Sequence, residues 1–211
     1  MIKQITTGLS ILALMMLPVA TGETPETSEK IDVEIVKIEC VQRKWSVFEQ
    51  SSSGTGVRHG NLTITAAHVL KQCPDQTGIR YILDHDLALK YDGVPGDYEL
   101  GCDAPVVGED IVYTGYPNGR RIESDYGTVT TAGDMIIRVD EGGGSINIFT
   151  GIALGTSTKV RPGYSGGLVT TTDGQFRGII SSVNRATQDA LFIPADLICN
   201  YVQYEGKTSE E

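Results

Sequence analysis

From residue 31 onward, apolar and polar positions alternate with a period of two. IDVEIVKIECV (31–41), NLTITAA (61–67), IRYILDHDLALK (79–90), DIVYTGY (110–116), DMIIRV (134–139) and SINIFTGIAL (145–154) all carry the alternation, with Gly, Asn and Asp at the joints. A strand sends successive side chains to opposite faces, so this pattern predicts half-buried β-strands. A helical period is sustained only in PADLICNYVQY (194–204), where Pro194 can open the first turn and Leu197, Ile198 and Val202 share a face. The pattern predicts an all-β protein with one short C-terminal helix. GYPNGRRIESDYG (115–127) breaks the alternation with turn residues and charge, which predicts a linker between two strand-dense halves of similar size.

The N-terminus departs from this pattern. Lys3 precedes the apolar run LSILALMMLPVA (9–20), which is too short to span a bilayer and leads into the polar TGETPETSEK (21–30). It reads as a secretory signal, residues 1–22, cleaved near Ala20 to Gly22, with 23–30 a polar leader and 205–211 a polar tail. The expected location is secreted or periplasmic, with no stable membrane association after cleavage. At 211 residues, the chain suits one large β domain or two compact lobes. Cleavage removes Lys3 and no acid, taking the formal charge from −10 to −11. Such an acidic surface repels phosphate backbones and argues against nucleic acid as a partner. Cys40, Cys73, Cys102 and Cys199 contain no CxxC pair, so in an oxidising compartment they predict disulfides rather than a zinc site. Three connectivities are open.

Of three histidines, His68 stands out, because TITAAHVL places it directly after an alternating strand with two alanines before it. In HDLALK, strand parity sends Asp86 and Ala88 to one side and Leu87 and Leu89 to the other, bringing a carboxylate toward a partly buried face. Asp84 shares that parity and is its rival. Such an acid accepts the imidazole Nδ1 proton and stabilises the imidazolium. Ser165 lies in RPGYSGGLVTTTDGQFRGII (161–180), with a glycine two places before it and two directly after. A serine hydroxyl attacks a carbonyl once an imidazole takes its proton. Gly163 can adopt backbone angles that let its N–H and that of Ser165 converge on a developing oxyanion, while Gly166 and Gly167 leave room for substrate.

SGTGVRHGNLTITAAHVL (53–70), HDLALK (85–90) and RPGYSGGLV (161–169), in that order, resemble the His, Asp and Ser motifs of the trypsin-like (chymotrypsin-fold) serine endopeptidases. LGCDAPVVGEDIVYTGYPNG (100–119) and DALFIPADLI (189–198) are similar to segments of the bacterial members, so the resemblance runs from about Val36 to Val202. It implies two antiparallel β-barrels, 31–116 carrying His68 and Asp86 and 122–204 carrying Ser165 and the helix, joined by 117–121. It also implies a secreted enzyme that hydrolyses peptide bonds through an acyl-enzyme. His68 is then general base and acid, Asp86 its orienting acid, and Ser165 the nucleophile, with Gly163 and Ser165 forming the oxyanion hole. The partner is a protein or peptide substrate, the chain is expected to be a monomer, and no cofactor is required.

Two departures qualify the match. Only 18 positions separate His68 from Asp86, a short interval for the family, which keeps Asp92 and Asp97 eligible as the acid. Tyr164 stands where zymogen-type members carry an aspartate, so the activation switch that pairs with a new N-terminus is expected to be absent. The resemblance further places Lys159 at the base of a specificity pocket, Ser181, Ser182 and Val183 on one wall, and Ala190 opposite. No carboxylate selective for basic side chains is evident. Lys159 would invite acidic side chains unless it snorkels to solvent, and Val183 would favour small apolar ones, so specificity stays open. Two other readings remain: a catalytically weak or inactive binding protein on the same fold, and a metal centre of His59, His68 and His85 with a carboxylate, whose spacing matches no metal motif.

Overall fold

The computed structural model describes residues 31–44, 48–73, 77–139, 145–155, 160–183 and 189–206. The signal and leader segments and Lys159 lie outside the described residues. In chain order the elements are β1 (Glu34–Lys44), β2 (Phe48–His59), β3 (Leu62–Ala66), α1 (Ala67–Leu70), β4 (Ile79–Ile82), a 3₁₀ turn (Leu83–His85), β5 (Leu87–Tyr91) and β6 (Asp110–Gly115). A second 3₁₀ turn (Pro117–Gly119) leads to β7 (Glu123–Val139), β8 (Ser145–Gly155), β9 (Leu168–Thr171), β10 (Phe176–Val183), β11 (Ala190–Pro194) and α2 (Ala195–Gly206).

The strands form two antiparallel sheets. The first is five-stranded in the order β1-β2-β3-β5-β4; the second is a closed barrel in the order β10-β11-β8-β7-β6-β9. The all-β class and the C-terminal helix are as the sequence predicts. Ala195 begins the helix directly after Pro194, and Ile198 and Val202 are buried on its inner face. The predicted linker narrows, because Glu123–Gly127 pairs with Ile111–Gly115 as the start of β7.

Period-two alternation explains how one strand serves two cores. On β10, Ile179 packs with Leu62, Leu89, Phe176, Ile193 and Ile198, a cluster that joins the first sheet to α2 and the outside of the barrel. Its neighbour Ile180 points the other way, into a barrel interior of Ile111, Tyr113, Tyr164, Val169 and Phe192. Each of these large buried side chains contributes about 1.5–3 kcal/mol of hydrophobic stabilisation. The sheets therefore share a core rather than being tethered by a linker alone.

The cysteines resolve to one of the three connectivities. Cys40–Cys73 ties β1 to the segment after α1, and Cys102–Cys199 ties the approach to β6 onto α2, with sequence separations of 33 and 97. Chain-entropy reasoning gives about 4 and 5 kcal/mol respectively for closing loops of that size. Among the described residues, no helix is long and apolar enough to cross a membrane.

Candidate active site

His68 lies in the single turn of α1, which starts at the buried Ala67 as soon as β3 ends in the buried Ala66. Val69 packs against β2 at Gly54, where a Cβ would lie 2.5 Å from a Val69 methyl, so a bare backbone at that position lets the turn seat. The His68 ring is then aimed at Asp86, with Nδ1 2.8 Å from Asp86 Oδ2.

Asp86 reaches the ring by a different route from the one strand parity suggests. IRYILDHDLALK is two strands interrupted by the 3₁₀ turn, and Asp86 follows that turn in the left-handed region at φ 52°, its N–H donating to the Leu83 carbonyl at 3.2 Å. Aspartate tolerates this region better than most residues. The turn brings both carboxylate oxygens to bear. Oδ1 accepts from the His68 backbone N–H at 3.0 Å, and Oδ2 accepts from the Ser181 hydroxyl at 2.6 Å as well as facing the ring. The Asp86 carbonyl also accepts from the Ala67 N–H at 2.6 Å. Asp86 is buried; its rivals Asp84, Asp92 and Asp97 are exposed, and Asp92 pairs with Lys90.

Ser165 lies on the loop between Val160 and β9. The loop is held largely by its backbone. The Ser165 carbonyl accepts from the Thr55 N–H at 2.8 Å, the Gly163 carbonyl from the Thr55 hydroxyl at 2.7 Å, and the Pro162 carbonyl from the Asn118 N–H at 2.6 Å. On the barrel side, the Gly166 N–H donates to the Ile180 carbonyl at 2.6 Å and the Ile180 N–H to the Gly167 carbonyl at 2.8 Å. Gly163 (φ +97°) and Gly166 (φ +82°) both occupy backbone that disfavours a side chain, and both lack room for one. A Cβ at 163 would run into the Tyr116 carbonyl, and one at 166 into the Thr55 carbonyl and the Thr65 hydroxyl. Neither the Gly163 nor the Ser165 N–H has a backbone acceptor among the described residues.

Thr55 is the residue sequence reasoning missed. Fully buried between Gly54 and Gly56, it holds the Ser165 loop, accepts the Tyr116 N–H on its hydroxyl at 3.0 Å, and offers its carbonyl to the Thr65 hydroxyl at 2.6 Å. Thr65 is three positions before His68, so two successive hydrogen bonds through Thr55 join the serine loop to the strand that carries the histidine. Its signal was the SGTG at the front of the histidine motif.

Ser181 is fully buried, with its hydroxyl committed to Asp86 rather than lining a pocket wall. Val183 on β10 pairs directly with Ala190 on β11 after a bulge between Ile180 and Ser182, so these expected wall residues lie side by side. The histidines occupy separate settings: His59 Nδ1 is 2.9 Å from the Asp32 carbonyl, and His85 packs against Tyr201. Among the described residues, no three His, Cys, Asp or Glu side chains come together as a metal site would require.

Next to Ser165, Tyr164 is fully buried in the barrel, its ring edge-on to Tyr113 with centroids 5.4 Å apart. Its hydroxyl donates to Asp125 Oδ2 on β7 at 2.8 Å. The Arg161 guanidinium lies 5.7 Å from the Tyr164 ring centroid and donates through Nη2 to Glu123 at 2.5 Å. Burial, and then the Asp125 hydrogen bond, push the Tyr164 phenol pKa well above its ordinary value. The Arg161 and Arg121 hydrogen bonds hold the Glu123 carboxyl below the usual carboxylate range.

The fold recurs in solved structures. The active form of the Rv3671c protease from M. tuberculosis superposes with a TM-score of 0.63 at 20% identity, covering 79% of this chain and 78% of that one. This chain has the chymotrypsin-like fold. The MamO protease domain from Magnetospirillum magneticum matches with a TM-score of 0.53 at 19% identity over 70% of this chain and 87% of that chain. The HtrA-type protease AlgW with a decapeptide matches with a TM-score of 0.53 at 16% identity over 82% of this chain and 63% of that chain. No protein-family model matches the sequence, and no curated protein does.

Proposed function

We propose that this chain is a secreted serine endopeptidase that cleaves peptide bonds through an acyl-enzyme. The observation that carries the reading is the Asp86 carboxylate. It faces the His68 ring at Nδ1 with one oxygen and accepts the His68 backbone N–H with the other, which fixes the orientation of the ring. In this reading His68 takes the Ser165 hydroxyl proton as Oγ attacks the carbonyl, and the amides of Gly163 and Ser165 meet the oxyanion. His68 then gives the proton to the leaving amine, and a water repeats the sequence on the ester. Asp86 stays ionised and stabilises the imidazolium.

The substrate is an extended peptide. Ser182 and Val183 pair with β11 and have no partner strand on their other edge among the described residues, which suits addition of a peptide strand. The peptide-bound AlgW structure supports the same class of ligand. Two disulfides fit an oxidising compartment and support residues 1–22 as an export signal. The proposed halves are 31–116, with His68 and Asp86, and 122–204, with Ser165, and the mature chain is read as a monomer. Profiling a mixed peptide library with the purified mature chain tests all this. Cleavage by the wild type and none by Ser165→Ala supports the reading. An intact library from folded wild type contradicts it and leaves a binding protein on the same fold.

A further inference from the structure

The loop carrying Ser165 has to hold two amides in one direction while its glycines give it no stiffness of their own. Asn118 holds the Pro162 carbonyl, Thr55 holds the Gly163 and Ser165 carbonyls through its hydroxyl and its N–H, and Ile180 pairs with Gly166 and Gly167. A further anchor near the centre is the side chain of Tyr164, adjacent to Ser165 and buried in the barrel. The ring fills the barrel core beside Tyr113, and the hydroxyl is tied to Asp125 at 2.8 Å. Arg161, at the start of the same loop, closes over that ring. Its Nη2 lies 3.5 Å from the Tyr164 hydroxyl, 3.9 Å from Asp125 and 2.5 Å from Glu123. Both ends of the short segment 161–164 are thus fastened to β7, and the Tyr164 N–H donates to the Arg161 carbonyl at 3.2 Å, closing the turn from within.

We propose that Tyr164, fixed by Asp125 and Arg161, is a positioning residue that holds the Gly163 and Ser165 amides in their donating arrangement. This rests on Ser165 being the nucleophile. The groups facing the phenol are Asp125 and Arg161, with Glu123 and Arg121 beyond them, and none of them touches the reacting atoms. Tyr164 acts through backbone, and its removal changes kcat rather than KM. The phenol's raised pKa keeps it a donor through the neutral range.

Tyr164→Phe keeps the ring and removes the hydroxyl. It is expected to slow fluorophosphonate labelling of Ser165 and lower kcat by about tenfold, the scale of one hydrogen bond to a charged group, with KM nearly unchanged and a modest fall in Tm from the Asp125 carboxylate that loses its donor. Amide hydrogen exchange of the peptide spanning 161–167 is expected to speed up in the same variant. Asp125→Asn in the otherwise wild-type chain, whose amide oxygen still accepts from the phenol, is expected to retain both wild-type readouts, and Asp125→Ala is not. Wild-type labelling or wild-type exchange in Tyr164→Phe overturns the inference. If the wild-type chain itself takes no label, the endopeptidase reading falls, and loop exchange alone then decides this one. If Tyr164→Phe does not fold, Asp125→Ala is read in its place by the same two measurements.

Discussion

The two sides of the candidate site are built on opposite principles. His68 and Asp86 are fixed by side chains: one carboxylate binds a ring, a backbone amide and a hydroxyl, and the left-handed turn at Asp86 serves to aim it. The Ser165 loop is fixed mainly through its own main chain, whose carbonyls and amides meet Thr55, Asn118 and Ile180 around two glycines with no room for a side chain, with the Tyr164 side chain as a further anchor. A group that must change charge needs a charged partner, whereas donors that must only point need rigid main chain. Substitutions on the two sides should therefore fail differently, and each of the following separates them.

The largest expected effect is on the side-chain side. Asp86→Asn keeps the shape and presents the wrong partner to Nδ1, so kcat/KM for a peptide should fall about 10⁴-fold while the far-UV spectrum is retained. Loss of folding instead would mean that the carboxylate is chiefly structural. On the backbone side, Gly163→Ala forces a side chain into the left-handed region and against the Tyr116 carbonyl. Displacing the amide is expected to lower kcat by about 10²–10³-fold, and Tm should fall with it. A variant as active as wild type would remove Gly163 from the oxyanion reading.

Thr55→Val probes the joint between the sides. It leaves the Gly163 carbonyl and the Tyr116 amide without their buried partner, and urea unfolding should show a loss of about 2 kcal/mol or more. An unchanged midpoint would show that the two sides are held together elsewhere. The smallest effect concerns pH. Because Arg161 and then Arg121 lower the folded pKa of Glu123, its contribution is present above the ordinary carboxylate value, about pH 4, and is lost as pH falls through the lower folded value. Glu123→Gln should flatten that part of the Tm-against-pH curve by lowering Tm slightly in the neutral region and leaving the acid end alone; an identical curve would show that the pairing adds nothing.

The same contrast governs what the sequence could reveal. Strands with alternating apolar residues, such as Leu62–Ala66 and Asp110–Gly115, declare themselves, as do Ile198 and Val202 on the helix. β2 does not, because FEQSSSGTGVRH is polar and glycine-rich; it is a strand because β1 and β3 pair with it on both edges, an effect of tertiary context that local pattern does not carry. The Asp86 turn was hidden for a related reason: HDLALK alternates well enough to read as continuous strand, and only the hydrogen bond to Leu83 and the left-handed angles reveal the break. Ser181 was visible as part of a strand but not as a partner of Asp86, because the two are 95 positions apart and no local signal couples them. Side-chain chemistry was legible in His68, Asp86 and Ser165, whereas the backbone scaffold around Thr55 was legible only as an unexplained density of glycine.

In the proposed mechanism His68, aligned by Asp86, activates the Ser165 hydroxyl. The rate of fluorophosphonate labelling of the purified mature chain, compared between wild type and His68→Ala at neutral pH, tests it directly. Rapid modification confined to Ser165 is expected in the wild type, with a fall of several orders of magnitude in the variant. Equal labelling of the two proteins, or none of a correctly folded wild type, would contradict it.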